Sequence, residues 1–185
     1  MQIRPIEERD IPALEHICLA TAAPAYKKDG AARETTLLLY NRWYTRCAKE
    51  HCFTVTDNND TPVGYILCAP DYRVYKQSFR ENECKQIRRY GFARYIYAYF
   101  SPRVQKKYAK TYPAHLHIDL LPAYQNQGAG TQLMQTLQNH LKEMGVPGIF
   151  LSVGKQNSGA IRFYKHNGFR VLDIVGGAVM MGCKL

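Results

Sequence analysis

The sequence predicts a mixed α/β fold, a central sheet with helices on both faces, and three observations predict it. Leu116, Ile118 and Leu120 alternate with polar residues, which is strand spacing, and Leu133, Leu137, Leu141 and Met144 then recur every three or four positions, which is helix spacing. Two strand-like runs, 53–55 and 63–67, flank Asp57-Asn58-Asn59-Asp60-Thr61-Pro62, a segment dense in turn formers. Two more, 169–175 and 178–185, flank Gly176-Gly177, which suits a tight hairpin turn.

Taken in order, residues 3–6 read as a first strand. Asp10 is placed to cap a helix with Pro12 in its first turn, and Leu14, Ile17 and Cys18 form its inner stripe. Pro24 and Lys28-Asp29-Gly30 mark a loop. Residues 34–50 read as a second helix, whose Leu37, Leu38, Tyr40, Trp43, Tyr44 and Cys47 give an aromatic face serving as core or as substrate wall. The hairpin over 53–67 follows. Residues 70–113 are the least regular stretch: Phe79, Cys84 and Ile87 suit a helix over 75–89, while Tyr95, Tyr97 and Tyr99 fit strand and helix alike. The strand at 115–120 stops at Pro122, which has no N–H for a ladder. The helix after it ends at Gly145, with Val146-Pro147 preventing continuation. A buried strand at 148–153, a helix at 158–165 stopped by Asn167-Gly168, and the closing hairpin complete the chain. One domain spanning 1–185 is expected, with no repeat or linker.

Composition narrows the function classes. The chain has 185 residues, 46% of them hydrophobic, and a mean hydropathy of −0.38, which describes a soluble globule. No apolar run approaches the ~20 residues that cross a bilayer, and MQIRPIEERD lacks a signal-peptide core, so a cytoplasmic location with no membrane partner is expected. The six cysteines are scattered, with no C-x-x-C pair and no clustered histidines, so no metal is expected. A net charge of +10 suits nucleic acid, a polyanionic ligand, or plain solubility. Tyrosines interleaved with Arg and Lys over 70–113 suit single-stranded nucleic acid; an accessory helical layer is the preferred reading. Monomer and homodimer both stay open.

The turn between strand and helix carries the chemistry. Gln125-Asn126-Gln127-Gly128-Ala129-Gly130 lets backbone N–H groups approach a ligand closely. The free N–H groups of a helix start add roughly half a positive charge. Together they suit a phosphate or pyrophosphate, although a strand-to-helix turn can need glycine for its shape alone. No Lys-Ser/Thr follows Gly130, and Leu133 stands where a third glycine would fall, so the P-loop and dinucleotide-binding patterns are both excluded.

Gln125-x-x-Gly128-x-Gly130, between a strand ending at Pro122 and an amphipathic helix, resembles the acyl-CoA pyrophosphate loop of the GNAT superfamily of N-acyltransferases. A second block, Asn157-Ser-Gly-Ala-Ile-Arg-Phe-Tyr-Lys-His-Asn-Gly-Phe169, is similar to that family's late helix, and the two blocks stand in the right order. Residues 115–125 (HLHIDLLPAYQ) also resemble the acetyltransferase-like domain attached to some O-GlcNAcases. The resemblance implies a mostly antiparallel central sheet, with 70–113 as an insertion on the acceptor side. It implies an acetyl-CoA-dependent N-acetyltransferase that moves an acetyl group to a primary amine, on a small molecule or a protein, by direct transfer in a ternary complex.

By the same resemblance, Asn126, Gln127, Gly128, Ala129, Gly130 and Thr131, with Gln125 ahead of them, bind the pyrophosphate. Ile118, Asp119 and Leu120 pair with the pantetheine arm, and a backbone N–H near Leu120 polarises the thioester carbonyl. Asn157 bonds pantetheine or phosphate, or caps its helix. Tyr164 is the candidate general acid for the leaving thiolate, or a core tyrosine. An amine of pKa ~10.4 costs about 4–5 kcal/mol to neutralise at pH 7, which a general base assists. Many family members carry a glutamate in the strand where Ser152 stands here. The candidate bases are therefore His117 and Asp119, which share a strand face beside the thioester; His115 lies on that face too. A water relay or an acceptor of low pKa removes the need for either. The missing glutamate also admits a non-catalytic acyl-CoA-binding module; a single-stranded nucleic-acid-binding protein ranks last.

Overall fold

The computed structural model describes all of residues 1–185. Its strands are β1 (Gln2–Pro5), β2 (Phe53–Thr56), β3 (Pro62–Ala69), β4 (Ala114–Leu120), β5 (Gly148–Gly154), β6 (Arg170–Val175) and β7 (Ala178–Lys184). They form one seven-stranded sheet in the order β1-β2-β3-β4-β5-β7-β6. Every neighbouring pair is antiparallel except β4 and β5, which are parallel. The helices are α1 (Ile11–Thr21), α2 (Gly30–Tyr40), α3 (Arg42–Cys47), α4 (Tyr72–Glu81), α5 (Glu83–Ile87), α6 (Phe92–Phe100), α7 (Arg103–Lys106), α8 (Ala129–Glu143) and α9 (Ser158–His166). None is long and apolar enough to cross a membrane.

The sheet separates two cores. Side chains on a strand alternate faces. Tyr65, Leu67 and Ala69 of β3 therefore pack with α1 to α6, whereas Ile66 and Cys68 pack with α8. Leu133, Leu137 and Leu141 of α8 are all fully buried, each contributing roughly 2 kcal/mol by leaving water. Gly145, at φ +71°, closes this helix in the left-handed conformation glycine tolerates.

Local expectations fail where a side chain finds a distant partner. Asp10 does not cap α1: its carboxylate takes two bonds from the Arg4 guanidinium (2.7 and 3.0 Å) and the Glu7 N–H (2.8 Å), tying β1 to the turn before the helix. The expected helix over 34–50 begins earlier, at Gly30, where the Asp29 carboxylate accepts the Ala32 N–H at 2.7 Å. It then breaks at Asn41, a buried residue at φ −135° whose amide donates to the Leu14 carbonyl at 3.2 Å. The helix over 75–89 is likewise split at Asn82. Tyr95, Tyr97 and Tyr99 lie on a helix, α6. Met144 falls just past α8 and is 45% exposed, because the core ends one turn earlier.

The site depends on one irregularity. β4 and β5 pair only at Ala114↔Ile149 and His115↔Phe150. Beyond that, β4 stays paired with β3 as far as Leu120, and β5 with β7 as far as Gly154. Each strand follows its other neighbour, so the two splay apart and open a cleft within the sheet.

Candidate functional site

The cleft has an open strand edge. Leu121 N–H donates to the Val63 carbonyl at 2.9 Å, which sets the phase of the β3–β4 ladder. Backbone groups alternate sides along an antiparallel strand. His117 and Asp119 therefore direct their backbone to β3, and Ile118 and Leu120 direct theirs into the cleft. Of the three residues expected to offer a pairing edge, Ile118 and Leu120 supply it. The backbone of Asp119 is turned away, and its side chain is what faces the site.

At the end of β4 the chain makes a short turn and enters α8. Gln125 donates its side-chain amide to the Leu120 carbonyl at 2.8 Å, and Gln127 donates to the Ala123 carbonyl at 2.7 Å. Both side chains thus shape the loop. Asn126 and Gly128 adopt positive φ, +60° and +82°. The first internal bond of the helix runs from Gln132 N–H to the Gly128 carbonyl at 3.1 Å, leaving the N–H groups of Asn126, Gln127, Gly128, Ala129, Gly130 and Thr131 without an acceptor in the protein. Consecutive free donors at a helix start, at the mouth of the cleft, fit a diphosphate. The two glycines have different reasons. A Cβ on Gly128 would meet nothing within 4 Å, so its left-handed φ is the constraint; a Cβ on Gly130 would lie 3.2 Å from Phe163 Cε2, so close packing of α8 on α9 is.

The side chains of His115, His117 and Asp119 all point to the α1–α2 face. Tyr65 donates its hydroxyl to Asp119 Oδ2 at 2.6 Å. Burial outweighs that bond and pushes the Asp119 carboxyl up to about 6. The Tyr44 hydroxyl lies 2.7 Å from His115 Nε2 and 3.0 Å from His117 Nε2, bridging the two rings. Burial lowers His115 to about 3, aided by His117, and lowers His117 to about 4, so both are neutral at pH 7. Tyr164 is held protonated, first by burial and then by the Asp119 charge.

Two cavities meet here. The first, about 270 Å³, brings together Ile118, Asp119, His117, Tyr164 and the end of α1. The second, about 350 Å³, extends under α6, α7 and the β6–β7 hairpin. They share Tyr40, Leu116, His117, Leu151 and Ser152. Ser152 stands exposed at the junction and no carboxylate takes its place. Asn157 caps α9, its Oδ1 accepting the Ala160 N–H at 3.0 Å. Lys155, Arg162 and Lys165 are exposed. No group of three or more His, Cys, Asp or Glu that could hold a metal ion is present.

Tyr65 and Tyr44 are site residues that reading the sequence did not single out as such. Tyr65 faces Asp119 only because of the 65↔119 register, and Tyr44 reaches the histidines across 71 and 73 positions. The only available signal was the aromatic face noted around Tyr44.

The buried histidines also predict acid sensitivity. Their folded pKa values lie below the ordinary 6.5, so the unfolded chain binds more protons and stability falls as pH drops below 6.5. Asp119 acts oppositely between about 6 and its ordinary 3.8. His51 is lowered by burial as well and Glu83 is raised by it, so three groups oppose two and the denaturant midpoint is expected to decrease from pH 6.5 to 4; replacing both His115 and His117 with glutamine should make that slope shallower.

Residues 16–169 match the Acetyltransferase (GNAT) family. The curated protein "Uncharacterized N-acetyltransferase MJ1207" of Methanocaldococcus jannaschii is 27% identical over 144 residues, 76% of this chain, which spans about half (50%) of that relative's length. The crystal structure of SsHAT is similar with a TM-score of 0.87 and 28% identity, over 99% of this chain and 97% of that one. PH1933 from Pyrococcus horikoshii OT3 shares the fold at TM-score 0.70 and 20% identity, covering 100% and 98% of the two chains. The PaiA N-acetyltransferase from Thermoplasma acidophilum, solved in complex with coenzyme A, shares it at TM-score 0.60 and 18% identity, again covering 100% and 98%.

Proposed function

Since this chain belongs to the acetyltransferase (GNAT) family, we propose that it is an acetyl-CoA-dependent N-acetyltransferase acting on a primary amine by direct transfer in a ternary complex. One observation carries the reading: six consecutive free N–H groups lie at the end of an open strand edge that leads to a cavity holding Asp119 and Tyr164. Coenzyme A bound at the related PaiA structure agrees with it.

The N–H groups of residues 126–131 hold the pyrophosphate. Ile118 and Leu120 pair with the pantetheine arm, and the Leu120 N–H donates to the thioester oxygen as charge develops there. Holding both reactants in one cleft raises their effective concentration. The amine lone pair attacks the carbonyl carbon and a C–N bond forms, while Asp119 accepts a proton from the nitrogen. As the C–S bond breaks, Tyr164 gives its proton to sulfur. A carboxylate near 6 is mostly ionised at pH 7 yet basic enough to accept. His117, near 4 and bonded to Tyr44, is the weaker base and is assigned to the cavity wall. Residues 70–113 are taken as an insertion in a single domain, closing the acceptor side.

A second reading has its own support. Ser152 leaves the junction of the cavities without a carboxylate, which suits a module that binds acyl-CoA without turning it over. Calorimetric titration with acetyl-CoA, followed by thiol release over a panel of amines, separates the two. Tight binding without thiol release favours the module; no binding removes both. Tyr164→Phe is expected to lower kcat by about 10²-fold, the low end for a proton donor, with acetyl-CoA affinity unchanged.

A further inference from the structure

We propose that Lys76, Arg80, Arg103 and Lys106 form a second anion site, apart from the cleft, for a small ligand carrying two or more phosphate groups. The site goes beyond the acetyl-transfer reading and does not rest on it. Residues 70–113 carry eleven Lys or Arg against three Asp or Glu, eight of the chain's ten net positive charges. On α4 and α7 those charges converge. The Arg80 guanidinium lies 4.2 Å from the Tyr99 ring centroid, and that of Arg103 lies 5.8 Å from the same ring and 4.2 Å from Phe100. The Lys76 ammonium lies 5.7 Å from the Tyr72 centroid. It is made less basic first by burial and then by the charges of Arg80, Lys106 and Arg103, so the four cations share one locus.

Nothing in the protein balances them. None of the four enters an ion pair. Arg80 donates to the Tyr99 carbonyl at 3.0 Å, while its Nε and the Tyr72 hydroxyl are buried without partners, so the layer beneath supplies donors rather than acceptors. A hollow of about 380 Å³ along α4 brings Tyr72, Arg73, Lys76, Gln77, Arg80 and Glu81 to one surface. Glu81 is the one carboxylate there, and its partner is the Gln77 amide at 3.2 Å. Like charges held together repel, and a bound anion relieves that. Arg103 and Lys106 are exposed for contact, and guanidinium and ammonium groups suit phosphate oxygens. The solvent face of α6 exposes Phe92, Ile96, Tyr97 and Phe100 rather than cations, so the charge gathers at a spot and does not run on as a track. A compact ligand fits a spot; a nucleic-acid strand needs a track. The locus also lies away from the turn at 126–131. α4 starts three residues after Ala69, which pairs with His115 at the start of β4, and the turn follows the far end of that seven-residue strand, roughly 20 Å on.

Tripolyphosphate is the probe. Its binding is measured by calorimetry on the full chain with CoA in excess, and again on Gly128→Val, so that the turn at 126–131 does not contribute. One site is expected under both conditions, weakening as salt rises. Arg103→Glu should weaken it by about tenfold, and Arg103→Glu with Lys106→Glu by about 100-fold, one charge-assisted contact being lost at a time. Both side chains are exposed and outside the cores, so these variants should fold. Lys28→Glu with Lys184→Glu changes the net charge equally at exposed positions elsewhere and should leave the affinity within twofold. Absent binding, an equal loss in that control, or indifference to the first pair overturns the proposal. Tighter binding of a single-stranded oligonucleotide, abolished by the first pair, would also overturn it, in favour of a strand-binding face. Tripolyphosphate binding without CoA binding leaves this site standing and removes only the coenzyme reading.

Discussion

Asp119→Asn is expected to lower kcat/KM for any amine acceptor by about 10³-fold, within the usual range for a general base, while acetyl-CoA affinity stays within twofold. The amide keeps the size of the carboxylate and can still accept the Tyr65 hydroxyl, bonded at 2.6 Å in the parent, so the wall is preserved and only basicity is lost. The same assignment fixes a pH profile. Burial raises the carboxyl to about 6. Below that value the base is protonated, so log kcat/KM should fall one unit per pH unit from about 6 downwards with an acceptor that is neutral throughout. Tyr65→Phe removes a bond that favours the ionised form and should move the inflection upwards. A profile flat to pH 5, or an Asn variant of parental activity, would transfer the role to His117 or to water.

Gly128→Val should weaken acetyl-CoA binding by about 100-fold, read by calorimetry. The position is at φ +82° with open space around a Cβ, so the harm comes from conformation rather than collision. A β-branched residue held there costs about 1–3 kcal/mol, and relaxing that strain turns the N–H groups of residues 126–131 away from a common point. Its melting temperature should fall only slightly, because Gly128 is exposed and outside both cores. Retained affinity would refute the placing of the pyrophosphate at this turn.

Much of the fold was legible because its signals are local. The periods of two and 3.6 placed the strands and most helices, and the glycines of 125–130 marked the turn whose N–H groups the fold leaves free. What was misread depended on partners far along the chain. Asp10 has an ideal capping identity, yet Arg4 claims its carboxylate. Asn41 interrupts a helix that propensity would continue, since its amide reaches Leu14. Residues 92–100 carry alternating tyrosines and are helical because α6 packs on the layer formed by α4 and α5.

The site divides the same way. The order of elements, the phosphate-ready turn and the run of polar residues on one face of β4 belong to the sequence alone, because each follows from spacing over a few residues. The splay of β4 from β5, the turning of the Asp119 backbone towards β3, and the pairing of Tyr65 with Asp119 and of Tyr44 with both histidines belong to the tertiary structure. Register and strand divergence are set by ladders between segments tens of residues apart, and burial, which gives the carboxyl and the imidazoles their altered basicity, exists only once those segments have met.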